Sequence, residues 1–297
     1  MGSQQLDTPY GSINLYLNSN QATLSEGLGN SNKTWFLNSP VYPPQHTRML
    51  VAVTDFQAAN SWYLIRVGIN DNFRFGEAGV NYIAIIPEGN YTSLTFLATL
   101  NGLIEVLLGS LGARMTYISA SNKFVYTTIV LGNSVTVYNK ANGTTCDTEV
   151  GMENSPNITA TGVGFNSITF PNMINFAGIP YINVIGNSLG LENRDSFGDI
   201  NLTLCKVPVK TQSLGFIYLP NSPPTYLSLE DRHIKKIQLI LRDDEGNDLD
   251  FHGVSWGLTI SIHFQYIRIA EEPEHVIQTK DVIKQAIETK EGSLENN

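Results

Sequence analysis

Residues Tyr226 to Tyr266, YLSLEDRHIKKIQLILRDDEGNDLDFHGVSWGLTISIHFQY, decide how the rest of the chain is read. Ile237, Leu239 and Leu241 alternate with Gln238, Ile240 and Arg242, and further on Trp256, Leu258, Ile260, Ile262 and Phe264 alternate with Gly257, Thr259, Ser261 and His263. A period of two sends successive side chains to opposite faces, so each run is a strand with one apolar and one mixed face. Between them lies Asp243-Asp244-Glu245-Gly246-Asn247-Asp248. Gly246 and Asn247 suit positive φ, and the charges keep this run in water. The expected element is a long hairpin that packs one face against a second layer.

Outward from this stretch the pattern stays β. Short strand-like runs occur at Ile13–Leu17, Thr34–Leu37, Arg48–Phe56, Trp62–Gly68, Tyr82–Ile86, Met115–Ser119, Lys123–Val130, Ser134–Tyr138, Asn166–Phe170, Tyr181–Ile185, Ile200–Val209 and Phe216–Leu219. Turn formers such as Asn18-Ser19-Asn20, Asn70-Asp71-Asn72 and Pro223-Pro224 separate them. So many short strands imply a sandwich or barrel. One segment differs. From Tyr91 to Leu108, Leu94, Leu97, Leu100, Leu103, Ile104, Leu107 and Leu108 recur at threes and fours, with Asn90 or Thr92 as cap, which predicts an amphipathic helix laid on the β-structure. Beyond Tyr266 the strand signal ends at Glu271-Glu272-Pro273-Glu274, and Val276, Ile283 and Ile287 fit a short C-terminal helix. The expected division is one unit over 1–270, with Asn139–Asn166 as a projecting loop or insertion, and an acidic tail over 271–297.

Of the 297 residues, 42% are hydrophobic but only 15% are charged, against about a quarter in an average domain. Asn, Ser, Thr and Gly take the place of ions, and amides and hydroxyls cost less to desolvate when copies or partners cover a surface. A β-rich protein with many polar loops has the same composition. The net charge is -9, and the tail holds Glu271, Glu272, Glu274, Asp281, Glu288, Glu291 and Glu295 against Lys280, Lys284 and Lys290. Neither part offers the basic field that nucleic acid requires. Nothing approaches the roughly 20 apolar residues of a membrane span. No signal peptide precedes the N-x-[ST] triplets at Asn32, Asn90, Asn142, Asn157 and Asn201, which read as chance in an Asn- and Thr-rich chain. The expectation is a soluble protein, intracellular when made. Cys146 and Cys205 make neither a disulfide framework nor a metal knuckle; they either pair or stay free.

Signs of catalysis are few. His46, His233, His252, His263 and His275 are scattered without ligand spacing, and no nucleophile elbow or phosphate-binding glycine loop is present. Gly162-Val163-Gly164 precedes strand-like residues where a dinucleotide fold needs a helix. Asp243, Asp244, Glu245, Asp248 and Asp250 gather oxygen ligands on one turn, so Asp243, Asp244 and Asp248 are the candidate calcium ligands. Their spacing is not that of an EF-hand, and a solvated turn explains them equally. The expectation is no enzyme, no cofactor and no catalytic residue.

The order Ile86-Pro87-Glu88-Gly89-Asn90-Tyr91-Thr92 opening a helix, then Asn187-Ser188-Leu189, Val207-Pro208-Val209, Gly215, Tyr218, Tyr226 and Ile237–Phe251 with Trp256, resembles the penton-type minor capsid proteins of virophages and polinton-like viruses over roughly residues 80–268. More loosely it is similar to jelly-roll capsid proteins at large. The resemblance implies a single jelly roll of two four-stranded sheets, assembled as a homopentamer at the fivefold vertices of an icosahedral virion. It implies contact there with a trimeric double-jelly-roll major capsid protein, and an outward insertion in some members. Two other readings stand beside it: a carbohydrate- or receptor-binding jelly-roll head or fibre module, supported by Tyr, Trp and Asn-rich loops, and a cupin-like enzyme, against which the scattered histidines speak.

Overall fold

In the computed structural model the two alternating runs are strands, but they do not pair with each other. The structure describes residues 9–27, 29–109, 114–191, 202–219, 223–231 and 233–267. The strands are β1 (Pro9–Asn18), β2 (Leu24–Glu26), β3 (Asn32–Val41), β4 (Thr47–Ala59), β5 (Asn72–Glu77) and β6 (Val80–Ile85), followed by helix α1 (Ser93–Leu108). Then come β7 (Met115–Ile118), β8 (Lys123–Thr127), β9 (Val135–Val137), helix α2 (Asp147–Val150), β10 (Ile158–Ala160) and β11 (Ser167–Thr169). The chain continues with β12 (Tyr181–Gly186), β13 (Thr203–Pro208), β14 (Phe216–Tyr218), β15 (Leu227–Ser228), β16 (Ile234–Arg242) and β17 (Trp256–Tyr266).

One sheet runs β1-β17-β4-β14, with β15 pairing farther along β4, and the facing sheet runs β13-β12-β16-β3-β2. All pairs in both are antiparallel. With β14 and β15 counted as one interrupted strand and β2 as an edge addition, this is the strand order of a single jelly roll. Each sheet therefore has one strand segment more than the four expected.

The expected hairpin is corrected by this order. β16 pairs with β3 and β12, and β17 pairs with β1 and β4, so the two strands face each other across the sandwich. Alternation was legible because Ile237, Leu239 and Leu241 point into the same core as Leu258, Ile260 and Ile262, from opposite layers. The turn chemistry is present but short. Asp243 N–H donates to Asn247 O, and Leu249 N–H donates to Leu241 O. Pairing then stops, because Leu249 and Phe251 dive into the core, each burial contributing about 1.5–3 kcal/mol. Phe251 N–H donates to Gly29 O at 2.8 Å. Gly29 has φ +53, and a Cβ there would lie 2.5 Å from Asp250 Cα, so no side chain fits where the crossing chain passes.

The jelly-roll core is closed at this end by two tryptophans. Trp35 and Trp256 meet edge to face at 5.8 Å, and Trp256 Nε1–H donates to Asn30 O at 2.7 Å.

A second core lies between β4 and β12. It is built from Phe73, Phe75, Phe96, Phe124, Tyr126 and Phe170 among others, over the sheets β10-β9-β5-β6 and β11-β8-β7. The stretch Asn139–Asn166, expected to project, contributes α2, β10 and the buried Cys146, Val150 and Met152 to this core. Cys205 belongs to the jelly-roll side, and both cysteines are free. A buried ion pair sits in this second core, the insertion between β4 and β12: Arg114 Nε–H donates to Glu77 Oε2 at 3.0 Å, and Tyr126 O–H donates to the same oxygen at 2.8 Å. Burial first, then the Glu77 charge, holds the Tyr126 hydroxyl far above its ordinary pKa.

The helix forms where its periodicity predicts, with Thr92 as cap: its side chain accepts from Thr95 N–H, and Thr95 accepts from Thr92 N–H in return. Its fully buried stripe is Phe96, Leu100 and Ile104, and Leu97, Leu103 and Leu108 of the expected pattern pack partly buried against the same core, while Leu94 and Leu107 are exposed. At about 100° per residue, Leu94 lies about 120° from the middle of that stripe and is exposed. Thr92→Ala is expected to cost about 1 kcal/mol, read as a lower urea midpoint for the insertion; an unchanged midpoint would remove the cap from the account. Among the described residues no helix is long and apolar enough to cross a membrane. The expected C-terminal helix and the tail 271–297 lie outside the described residues.

Candidate functional site

Where the insertion leaves the jelly roll, residues 60–71 run against the 243–252 connection. Ser61 O–H donates to Phe251 O at 2.9 Å, Trp62 meets the Phe251 ring edge-on at 5.6 Å, and Tyr63 lies 4.3 Å from the His252 ring. From the other side, Asn60 Nδ2 donates to Thr211 O and Asn90 Nδ2 to Ser213 Oγ. The charged link is Arg66 Nη2 to Asp243 Oδ2 at 2.8 Å, with Asp243 only 1% exposed. Asp243 also accepts from Glu245 N–H, Asn247 N–H and Asn247 Nδ2. Its carboxylate thus holds the turn and clamps the insertion together.

Beside this joint opens a cleft of about 890 Å³, lined from both cores by residues that include Tyr63, Arg66, Tyr91, Glu149, Gln212 and Glu245. Glu149 on α2 is buried and accepts from Asn70 Nδ2 at 2.6 Å. The same Asn70 amide donates to Leu64 O, and its Oδ1 accepts from Arg66 N–H at 2.7 Å. A chain of polar contacts therefore runs from Glu149 through Asn70 to Arg66 and on to Asp243. Burial raises the Asp147 carboxyl and raises the Cys146 thiol, to which the Glu149 and Asp147 charges add.

The acidic group is brought together along the chain but not around one point. Asp243 serves Arg66, and Asp248 Oδ1 accepts from Arg242 Nε at 2.8 Å. Asp250 accepts from His252 N–H, Glu245 lies 3.7 Å from Lys140, and Asp244 is exposed. Among the described residues no group of three or more His, Cys, Asp or Glu is placed to hold a metal ion. The described histidines are equally dispersed: His263 bonds Tyr226 O–H at 2.8 Å, and His233 stacks on Tyr42. Arg66, Asn70 and Glu149 carried no sequence signal, since nothing in a lone polar residue says which other core it will meet.

No protein-family model and no curated protein matches this sequence. Among solved structures, the fold is similar to the mavirus penton protein, with a TM-score of 0.48 and 14% identity over 86% of this chain and 99% of that one. It is also similar to a chain of the Sputnik virophage structure, with a TM-score of 0.37 and 12% identity over 87% of this chain and 99% of that one.

Proposed function

We propose that this chain is a structural subunit of a virion, a penton-type protein that forms homopentamers at fivefold vertices and meets a double-jelly-roll major capsid protein. The observation that carries the reading is the pair of edges on one jelly-roll sheet that no further described strand pairs. β1 presents Tyr16 at 77% exposure, and the opposite edge strand β14 presents Phe216 at 63% and Tyr218 at 58%, their rings stacked at 6.3 Å. Aromatic side chains on two different edges suit a heterologous contact, the kind that closes rings. The charge-poor composition suits a subunit covered on both sides. Light scattering of the purified chain at micromolar concentration is expected to give a pentamer, and Phe216→Ser with Tyr218→Ser is expected to return monomers. A wild-type monomer under those conditions counts against the reading.

A glycan- or receptor-binding module is the second reading, favoured by the large cleft with its amides and tyrosines. A glycan array without binding, together with fivefold assembly, removes it.

A further inference from the structure

The insertion runs from the joint to a far end, and that end is apolar. β5 starts beside the joint at Asn72 and ends at Glu77, roughly 17 Å away at about 3.3 Å per residue. Just past it, Ala78 N–H donates to Ser134 O at 2.9 Å, which brings the β8–β9 connection to this end. The β10–β11 connection lies against that one: Gly132 N–H donates to Gly164 O at 3.0 Å, and Thr128 N–H to Asn166 O at 2.9 Å. Helix α1 arrives at the same place. Its Asn101 Oδ1 accepts from the N–H of Arg114, the partner of Glu77, and its last turn lies beyond.

Turn tips in water ordinarily carry Gly, Asn, Asp or Ser. Here Val80, Val130, Leu131, Val163 and Phe165 stand on or beside the turns, with Val106 on the last turn of α1, and all are exposed. Val163 is 97% exposed and Leu131 63%, too much for side chains that serve this chain's own core. Residues 124–139 and 154–176 contain no Asp, Glu, Lys, Arg or His. Of the ionic side chains described at this end, Glu77 and Arg114 are buried against each other and Glu105 is half-buried. Lys140 and Glu153, which are exposed, lie back toward the cleft.

We propose that this tip inserts into the interfacial layer of a lipid bilayer with zwitterionic headgroups. Side chains this exposed on adjoining turns make a convex end, for which a protein partner has to supply a matching hollow; a fluid interface needs none. A second copy is further disfavoured because two chains of net charge -9 repel each other. Anionic lipid has no counter-charge to meet, since no basic side chain is exposed among the described residues of the tip. The polar groups beneath are already satisfied: Asn166 N–H donates to Thr128 Oγ1 at 3.0 Å, and Asn166 Nδ2 to Asn133 O at 2.7 Å. The two connections are thus tied into one unit that can enter an interface to a depth of about 5–10 Å without baring those groups. Contact of this kind is independent of ring assembly.

Flotation of the full chain with phosphatidylcholine vesicles tests this. Wild type is expected to float with the vesicles, no less at about 0.5 M salt than at about 0.1 M, and without gain from added phosphatidylserine. Leu131→Ser with Val163→Ser should lower the partition coefficient roughly tenfold or more, while Met173→Ser, at an exposed apolar position elsewhere on the insertion, should leave it within about twofold. Phe165→Trp should shift its emission to the blue on vesicle binding and be quenched by brominated acyl chains beyond the wild-type signal. Wild type that stays with the unbound fraction overturns the proposal, as does a double variant that floats as well as wild type. A double variant that changes oligomeric state without lipid while its flotation is unaltered makes the tip a contact between copies and overturns it too. Should the double variant not fold, Phe165→Trp decides, and an emission unmoved by vesicles overturns insertion.

Discussion

Glu77→Ala is expected to unfold the insertion well before the jelly roll. The substitution removes the carboxylate opposite a guanidinium that is 1% exposed, and with it the acceptor of the Tyr126 hydroxyl. Taking one member from a buried ion pair costs about 3–5 kcal/mol, because the desolvated charge stays behind. The loss falls on a core that shares no buried apolar cluster with the jelly roll, so urea unfolding followed by amide exchange should separate into two transitions. Peptides of β5, β8 and α1 should lose protection first. Glu77→Gln, which still accepts from Tyr126, should fall between wild type and alanine. A single transition at the wild-type midpoint would show that the pair contributes nothing net.

The second large effect belongs to the jelly roll. Trp256→Ala should cost about 3–5 kcal/mol: it opens a cavity against Trp35, and it leaves Asn30 O without the indole N–H that reaches it. Because Trp256 starts β17 in one sheet while Trp35 lies on β3 in the other, the cost should appear as separation of the two sheets. Exchange would rise at β3 and β17 together and leave the insertion unchanged. Trp256→Phe retains a ring and should lose less than half as much. If Trp256→Ala shifted the midpoint of the insertion and left the jelly roll alone, the division of the molecule into two cores would be wrong.

Strands were legible in the sequence wherever one face was buried. Met49, Val51 and Val53 announce β4, and Ile182 and Val184 announce β12, because a half-buried strand must alternate. Phe73 and Phe75 of β5 were hidden behind the turn formers Asn70-Asp71-Asn72, and the expected strand Trp62–Gly68 is instead an irregular segment with one bridge, Ile65 to Gly89. That segment spends its polar groups on the joint, on Asn70 and Asp243, and so cannot pair as a strand. Which sheet a strand joins was not legible at all. Alternation tells how a strand meets a core and is silent on the layer it meets it from, which is why β16 and β17 read as a hairpin. The joint was invisible for a related reason: Arg66, Asn70, Glu149 and Asp243 come together from three separate parts of the chain, and no local pattern encodes such a meeting. Asp243 was singled out for its charge, and its place is set by the arginine it clamps.

The position of β17 between β1 and β4 also sets a timetable. Leu15 is paired with Ile260, and Val53 also with Ile260, so this sheet has no centre until a strand made about 200 residues after β4 arrives. At roughly 5–20 residues per second that interval is about ten to forty seconds of synthesis. The pairings of the insertion are short in sequence, such as Phe75 with Tyr82 and Met115 with Tyr126, so its core is complete while the jelly roll still waits. During that wait β1 and β4 each present an open edge, the feature by which strands of separate chains join wrongly. The vulnerable species in making this protein is therefore a half-sandwich that already carries a finished second core, and slowing synthesis before Trp256 should lengthen its exposure.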